Sequence, residues 1–199
     1  MMVVLIDNGH GIGTPGKRSP DGRFREYLWN RQVAELVLVR LLGLGVDARL
    51  VVPETNDVAL STRVRRVNKV CTQEGAGRVV LVSIHANAAG SGRSWMGAKG
   101  WSAYTSKGKT KGDTVAEYMY DAFEAAFRDR KIRKDMSDGD RDWEENFTLL
   151  KNTRCPAVLL ENFFYDNREE CAWLLQDSTK ERIADAIVTG VMKYAACEL

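Results

Sequence analysis

The decamer RVVLVSIHAN at Arg78–Asn87 limits the folds open to this chain more than any other stretch. It is a continuous apolar run, rich in β-branched residues, that gives way to an imidazole. Such a run reads as a strand buried on both faces, as in a parallel sheet covered by helices. A histidine placed where that strand runs out lies at the carboxyl edge of the sheet, the edge at which open α/β sheets bind ligands. The chain has one other histidine, and it repeats the arrangement: the apolar stretch Met2–Ile6 leads through Asp7, Asn8 and Gly9 to His10. A third apolar stretch, Ala157–Leu160, runs into Glu161 and Asn162. Three strands each end in a residue suited to metal or proton chemistry.

Helical spacing fills the intervals. A helix is expected over Glu26–Leu44, with Trp29, Val33, Leu36, Val37, Leu41 and Leu44 as its buried stripe. Others are expected over Leu60–Glu74, from an Asp113 cap to about Arg130, and over Arg168–Gln176 and Thr179–Ala196. Further strands read at Asp47–Val52, Gly100–Thr105 and Phe147–Leu150. Strands alternating with helices predict an α/β fold: a single-domain three-layer α/β/α sandwich around a mostly parallel twisted sheet. The 199 residues, 44% of them hydrophobic, suffice for one core, so 1–199 is read as one domain. A monomer is expected.

Charge and motifs exclude several functions. The 29 basic residues are nearly matched by 27 acidic ones, for a net +2, which gives no reason to expect a nucleic-acid partner. No run approaches a membrane helix and no signal peptide is visible, so a protein made in the cytoplasm without membrane contact is expected. Cys71, Cys155, Cys171 and Cys197 lack metal-type spacing and read as reduced thiols. Gly11, Gly13, Gly16 and Lys17 imitate nucleotide loops, but turn formers Pro20, Asp21 and Gly22 follow where a helix would have to start. No nucleotide is expected, and the segment reads as a flexible loop bordering a site. Asp138, Asp140 and Asp142 imitate a calcium loop without its glycine and distal glutamate, and read as an exposed loop.

A catalytic zinc takes three protein ligands of nitrogen and oxygen type and leaves a position for water. His10 and His85 offer the nitrogens. Glu26, three residues before Trp29, extends the buried stripe inward and offers the oxygen, whereas Glu35 falls on the outer face. The competing account of Glu26 is an acidic residue complementing the helix dipole. A carboxylate inside AVLLENFF costs several kcal/mol to bury unpaired. Glu161 is therefore either half of a structural ion pair or a general base beside the metal.

These residues carry a family resemblance. DNGHG at 7–11, Glu26 opening a helix, SIHAN at 83–87 and CPAVLLENFF at 155–164 resemble the zinc-dependent N-acetylmuramoyl-L-alanine amidases of the amidase-3 type. Leu60, Arg63 and Asn68, and the Leu149-Leu150-Lys151 segment, are similar to lesser motifs of that family, in the same order. The resemblance implies Zn2+ held by His10, Glu26 and His85, with Glu161 as catalytic glutamate and Asn87 and Asn162 at the substrate. It implies a peptidoglycan substrate, cut at the amide between the lactyl group of N-acetylmuramic acid and L-alanine. A phage or prophage endolysin, reaching the cell wall or periplasmic peptidoglycan after release, fits this reading. A zinc peptidase acting on another wall amide and a non-catalytic wall-binding module are the alternatives. The segments 90–112 and 131–146 depart from the family pattern.

Overall fold

The computed structural model describes residues 2–198, the side chain of residue 198 excepted. Six strands form one sheet: β1 (Val3–Asn8), β2 (Asp47–Leu50), β3 (Val79–Asn87), β4 (Ser102–Thr105), β5 (Trp143–Glu144) and β6 (Ala157–Phe164). Their order is β2-β1-β3-β6-β4-β5. The four strands β2, β1, β3 and β6 run parallel, and β4 turns antiparallel against β6. The helices are α1 (Glu26–Gly43), α2 (Leu60–Glu74), α3 (Lys111–Ala126), α4 (Thr148–Asn152), α5 (Arg168–Leu174) and α6 (Asp177–Glu198). Helices α1, α3 and α6 pack on the face carrying Val4, Ile6, Val80, Val82, Val158 and Leu160. Helices α2 and α4 cover Val3, Leu5, Val79, Leu81, Ala157 and Leu159 on the other. Nearly every residue of β3 and β6 is buried, as a sheet covered on both faces requires.

The chain leaves β1 for β2 on one side and returns across it to β3 on the other. The order therefore reverses between β1 and β3, and their carboxyl ends border the crevice where such sheets take ligands.

Five elements differ from the sequence-based expectation in the ways that follow. Strands β3 and β6 do not stop at His85 and Glu161 but continue to Asn87 and Phe164, because β3–β6 pairing resumes beyond a bulge. Phe163 takes up the extra residue with φ 63°. The strand expected at Phe147–Leu150 is instead the start of α4. So short an apolar pair does not distinguish the two periods, and Asn152 and Thr153 bond back to the carbonyls of Thr148 and Leu149. Helix α3 starts at Lys111, with Thr110 as N-cap and Asp113 completing a capping box three residues in. Leu44, placed in the stripe of α1, lies past the helix end and is exposed.

Candidate metal centre and active site

Glu26 opens α1 as a buried carboxylate, 1% exposed, at the first turn of an otherwise apolar stripe. Its Oε1 lies 3.0 Å from Nδ1 of His85 and 3.2 Å from Nε2 of His10. One ligand atom from each residue can be chosen so that all three lie within 4.8 Å of one another, and no other such triad occurs among the described residues. The two rings meet edge to face, 4.9 Å between centroids. Burial alone would push the Glu26 carboxyl up. The imidazoles of His10 and His85 outweigh that and hold it well below the usual carboxylate range. For His85 burial works downward, and the Glu26 carboxylate overcomes it and raises the imidazole.

The backbone that carries His10 is unusual. His10 sits at φ 63°, a left-handed conformation rare outside glycine. Its carbonyl accepts from Arg31 Nη1 at 3.0 Å and Arg63 Nη2 at 3.2 Å, and the Gly9 carbonyl accepts from Asn30 Nδ2 at 3.1 Å. Arg63 is itself buried and bonded to Asp7 Oδ1 at 2.8 Å, while Ser83 donates to Asp7 Oδ2 at 2.7 Å. This network joins β1, β3, α1 and α2 beneath the site.

Glu161 stands opposite His85 in the β3–β6 register, one strand further along the sheet. Its Oε2 is buried without a hydrogen-bond partner. Burial pushes the carboxyl up to about 7; the charge of His85 opposes this and that of Glu26 adds to it. No structural ion pair to Glu161 occurs among the described residues. A cavity of about 450 Å³, lined by His10, Lys17, His85, Phe147, Leu149, Leu159 and Glu161 among others, opens in front of the triad.

The arrangement is that of a carboxylate–bis-imidazole cradle with a second carboxyl poised beside it. Over residues 4–193 the sequence matches the family model described as N-acetylmuramoyl-L-alanine amidase. The chain belongs to this amidase family. It is similar to the endolysin of Bacillus phage SPP1, 27% identical over 189 residues, covering 95% of this chain and 64% of that protein's length. It also resembles two solved amidase structures. One is the catalytic domain of CwlV, an N-acetylmuramoyl-L-alanine amidase from Bacillus (Paenibacillus) polymyxa var. colistinus: 28% identity, TM-score 0.79, 98% of this chain and 99% of that one. The other is the N-acetylmuramoyl-L-alanine amidase from Clostridium difficile 630, at 25% identity and TM-score 0.79, covering 98% and 97%.

Of the residues expected to touch substrate in this amidase-family chain, Asn87 lines a second hollow of about 270 Å³ on the other side of Glu161. Asn162 does not. It is fully buried, accepts from Trp101 Nε1 at 3.1 Å and donates to the His85 carbonyl at 2.8 Å, so it braces β3 against the core from behind the site. Alternation in β6 turns it away from Glu161.

The Gly-rich segment borders the site as the sequence suggested, Lys17 lining both hollows, but part of it is folded rather than an open loop. Residues 17–26 form a small hairpin: Arg18 bridges Arg25, Glu26 N donates to the Lys17 carbonyl at 2.9 Å, and Ser19 N donates to the Phe24 carbonyl at 3.0 Å. Phe24 anchors it in the core, stacked 5.3 Å from Tyr165. The segment 131–146 is likewise only partly an exposed loop. Asp142 is buried, and the Thr105 hydroxyl donates to its Oδ2 at 2.6 Å.

Proposed function

We propose that the chain is a zinc-dependent hydrolase, residues 1–199 forming one catalytic domain. It cleaves the amide between the lactyl group of N-acetylmuramic acid and L-alanine in peptidoglycan. The observation that carries this is the convergence of His10, Glu26 and His85 at the β1/β3 reversal with Glu161 beside them. Two nitrogens and one carboxylate oxygen suit zinc, and a buried imidazole nitrogen, His10 Nε2, has no hydrogen-bond partner to compete for it. Bound there, zinc would act as a Lewis acid on the scissile carbonyl and lower the pKa of an adjacent water to about 7.

The chain's own residues supply the rest. Glu161, whose burial places its carboxyl near 7, takes the proton of the attacking water and returns it to the nitrogen of the departing alanine. Asn87 lines the wall on which the substrate rests. The phage relative supports an endolysin that meets peptidoglycan after release from the cytoplasm. Mass analysis of muropeptides after digestion tests the reaction: new free N-terminal L-alanine on the stem peptide is expected, and any other cut bond sinks the assignment. Glu161→Gln should keep the metal and lose activity by about a hundredfold or more.

A further inference from the structure

Two hollows flank Glu161, and their walls have two residues in common: Glu161 and Lys17. The first hollow is lined by His10 and His85 of the candidate triad and runs out along Leu159, Leu149 and Phe147. The second lies between the Pro15–Lys17 turn and the Asn87–Ser91 segment, with Tyr165 behind. A substrate that occupies both must cross the saddle between them, where Lys17 and Glu161 both line its path. A bond cut with the help of Glu161 is therefore cut beside Lys17.

Lys17 is held there by the fold. Its carbonyl caps the Glu26 amide, and the hairpin behind it is fixed by Phe24. On the other side, Gly92 approaches so closely that a Cβ would sit 2.5 Å from the Arg18 carbonyl oxygen and 3.0 Å from that of Gly16. The segment is clasped between two parts of the chain. The ammonium lies 3.8 Å from Glu26 Oε2, an oxygen with no hydrogen-bond partner. That separation is an ion pair longer than a hydrogen bond, so Glu26 orients the ammonium without consuming its donors. The side chain is 41% exposed and opens onto both hollows.

We propose that Lys17 is a further catalytic residue, donating a hydrogen bond to the substrate carbonyl oxygen as it becomes an oxyanion. The inference rests on the amidase reading above. As the water oxygen bonds to the carbonyl carbon, its proton passes to Glu161 and the C=O electron pair moves onto oxygen, facing the Lys17 ammonium. On collapse the C–N bond breaks and Glu161 returns the proton to nitrogen. Lys17 keeps its proton throughout. A donor fixed in advance at the site of developing charge lowers the barrier without tightening ground-state binding.

The test compares zinc-loaded wild type with Lys17→Met, Lys17→Arg and Lys17→Ala on a soluble muropeptide, alongside zinc affinity by chelator competition. Lys17→Met should lower kcat by about 10²–10³ with KM and zinc affinity unchanged, as expected for loss of one oxyanion donor. Lys17→Arg should keep part of that loss from appearing, and ethylammonium should partly restore Lys17→Ala. Three results would overturn the role: kcat of Lys17→Met within about threefold of wild type, a raised KM at unchanged kcat, or a rate loss that tracks weakened zinc binding. The last would make Lys17 a positioning residue for Glu26. Wild-type protein that binds no zinc, or frees no L-alanyl stem peptide, would overturn the amidase reading first and this role with it.

Discussion

Gly9 and Gly11 show how tightly single positions are specified around His10. A Cβ on Gly9 would stand 2.1 Å from the His85 ring, and one on Gly11 2.1 Å from the Asp57 amide nitrogen. The imidazole of His85 thus rests on bare backbone, which is why the Gly-His-Gly sequence tolerates no side chain on either flank. Gly9→Ala should leave far-ultraviolet circular dichroism unchanged yet weaken zinc binding about tenfold or more, read by chelator competition. Retained affinity in that variant would mean His85 is not a ligand. At this scale the candidate ligands were legible because the chain has two histidines and because Glu26 continues an apolar stripe. Asn162 was misjudged because adjacency to Glu161 was taken as proximity to substrate, whereas strand alternation buries it. The placement of Lys17 and Arg31 could not be read locally, since the contacts that fix them come from residues 54, 91 and 92 and the helix start.

Helix α2 contributes one side chain that binds the elements of the site together. Arg63, 2% exposed, reaches Asp7 and the carbonyls of Asn8, His10 and Val58. Arg63→Leu would leave Asp7 as a buried charge with only Ser83 as donor, and should cost about 3–5 kcal/mol in urea unfolding. A loss near zero would show that the network is ornamental to the fold. The segment before α4 gives a pH-dependent case. Burial pushes Asp142 up to about 7 against the Thr105 hydrogen bond, with Asp140 adding to it. A carboxyl whose folded pKa is raised takes up a proton on folding. Its contribution to stability is full below about 4 and is lost as pH rises through 7. Asp142→Asn should therefore raise the melting temperature at pH 8, by about 1–3 kcal/mol of stability, and leave it unchanged at pH 4. Equal shifts at both values would refute the assignment. The long elements were legible from periodicity, while α4 and the start of α3 were not, because two or three residues carry no period.

Taken whole, the molecule draws its candidate metal ligands from a loop after β1, from α1 and from β3, elements distant in sequence that meet only in the folded chain. An ion that binds this set binds only the folded chain. At a hundredfold excess over its dissociation constant it should add about 2.7 kcal/mol, and raise the melting temperature by roughly 5–10 °C. A chelator-insensitive melting curve would speak against the site. Of the architecture, the layer order and the central parallel strands followed from the apolar runs; the β6 bulge and the antiparallel β4 did not, since both depend on pairing across distant sequence. The sheet also ends in a particular way at each margin. At one side β5 has two residues, and at the other β2 carries Asp47 and Arg49, which bond to each other, Arg49 also reaching Glu74. Neither margin offers a long, bare row of amides and carbonyls for a foreign strand to copy. Concentrated solutions of the folded protein should accordingly resist the edge-to-edge growth that turns exposed sheets into fibrils.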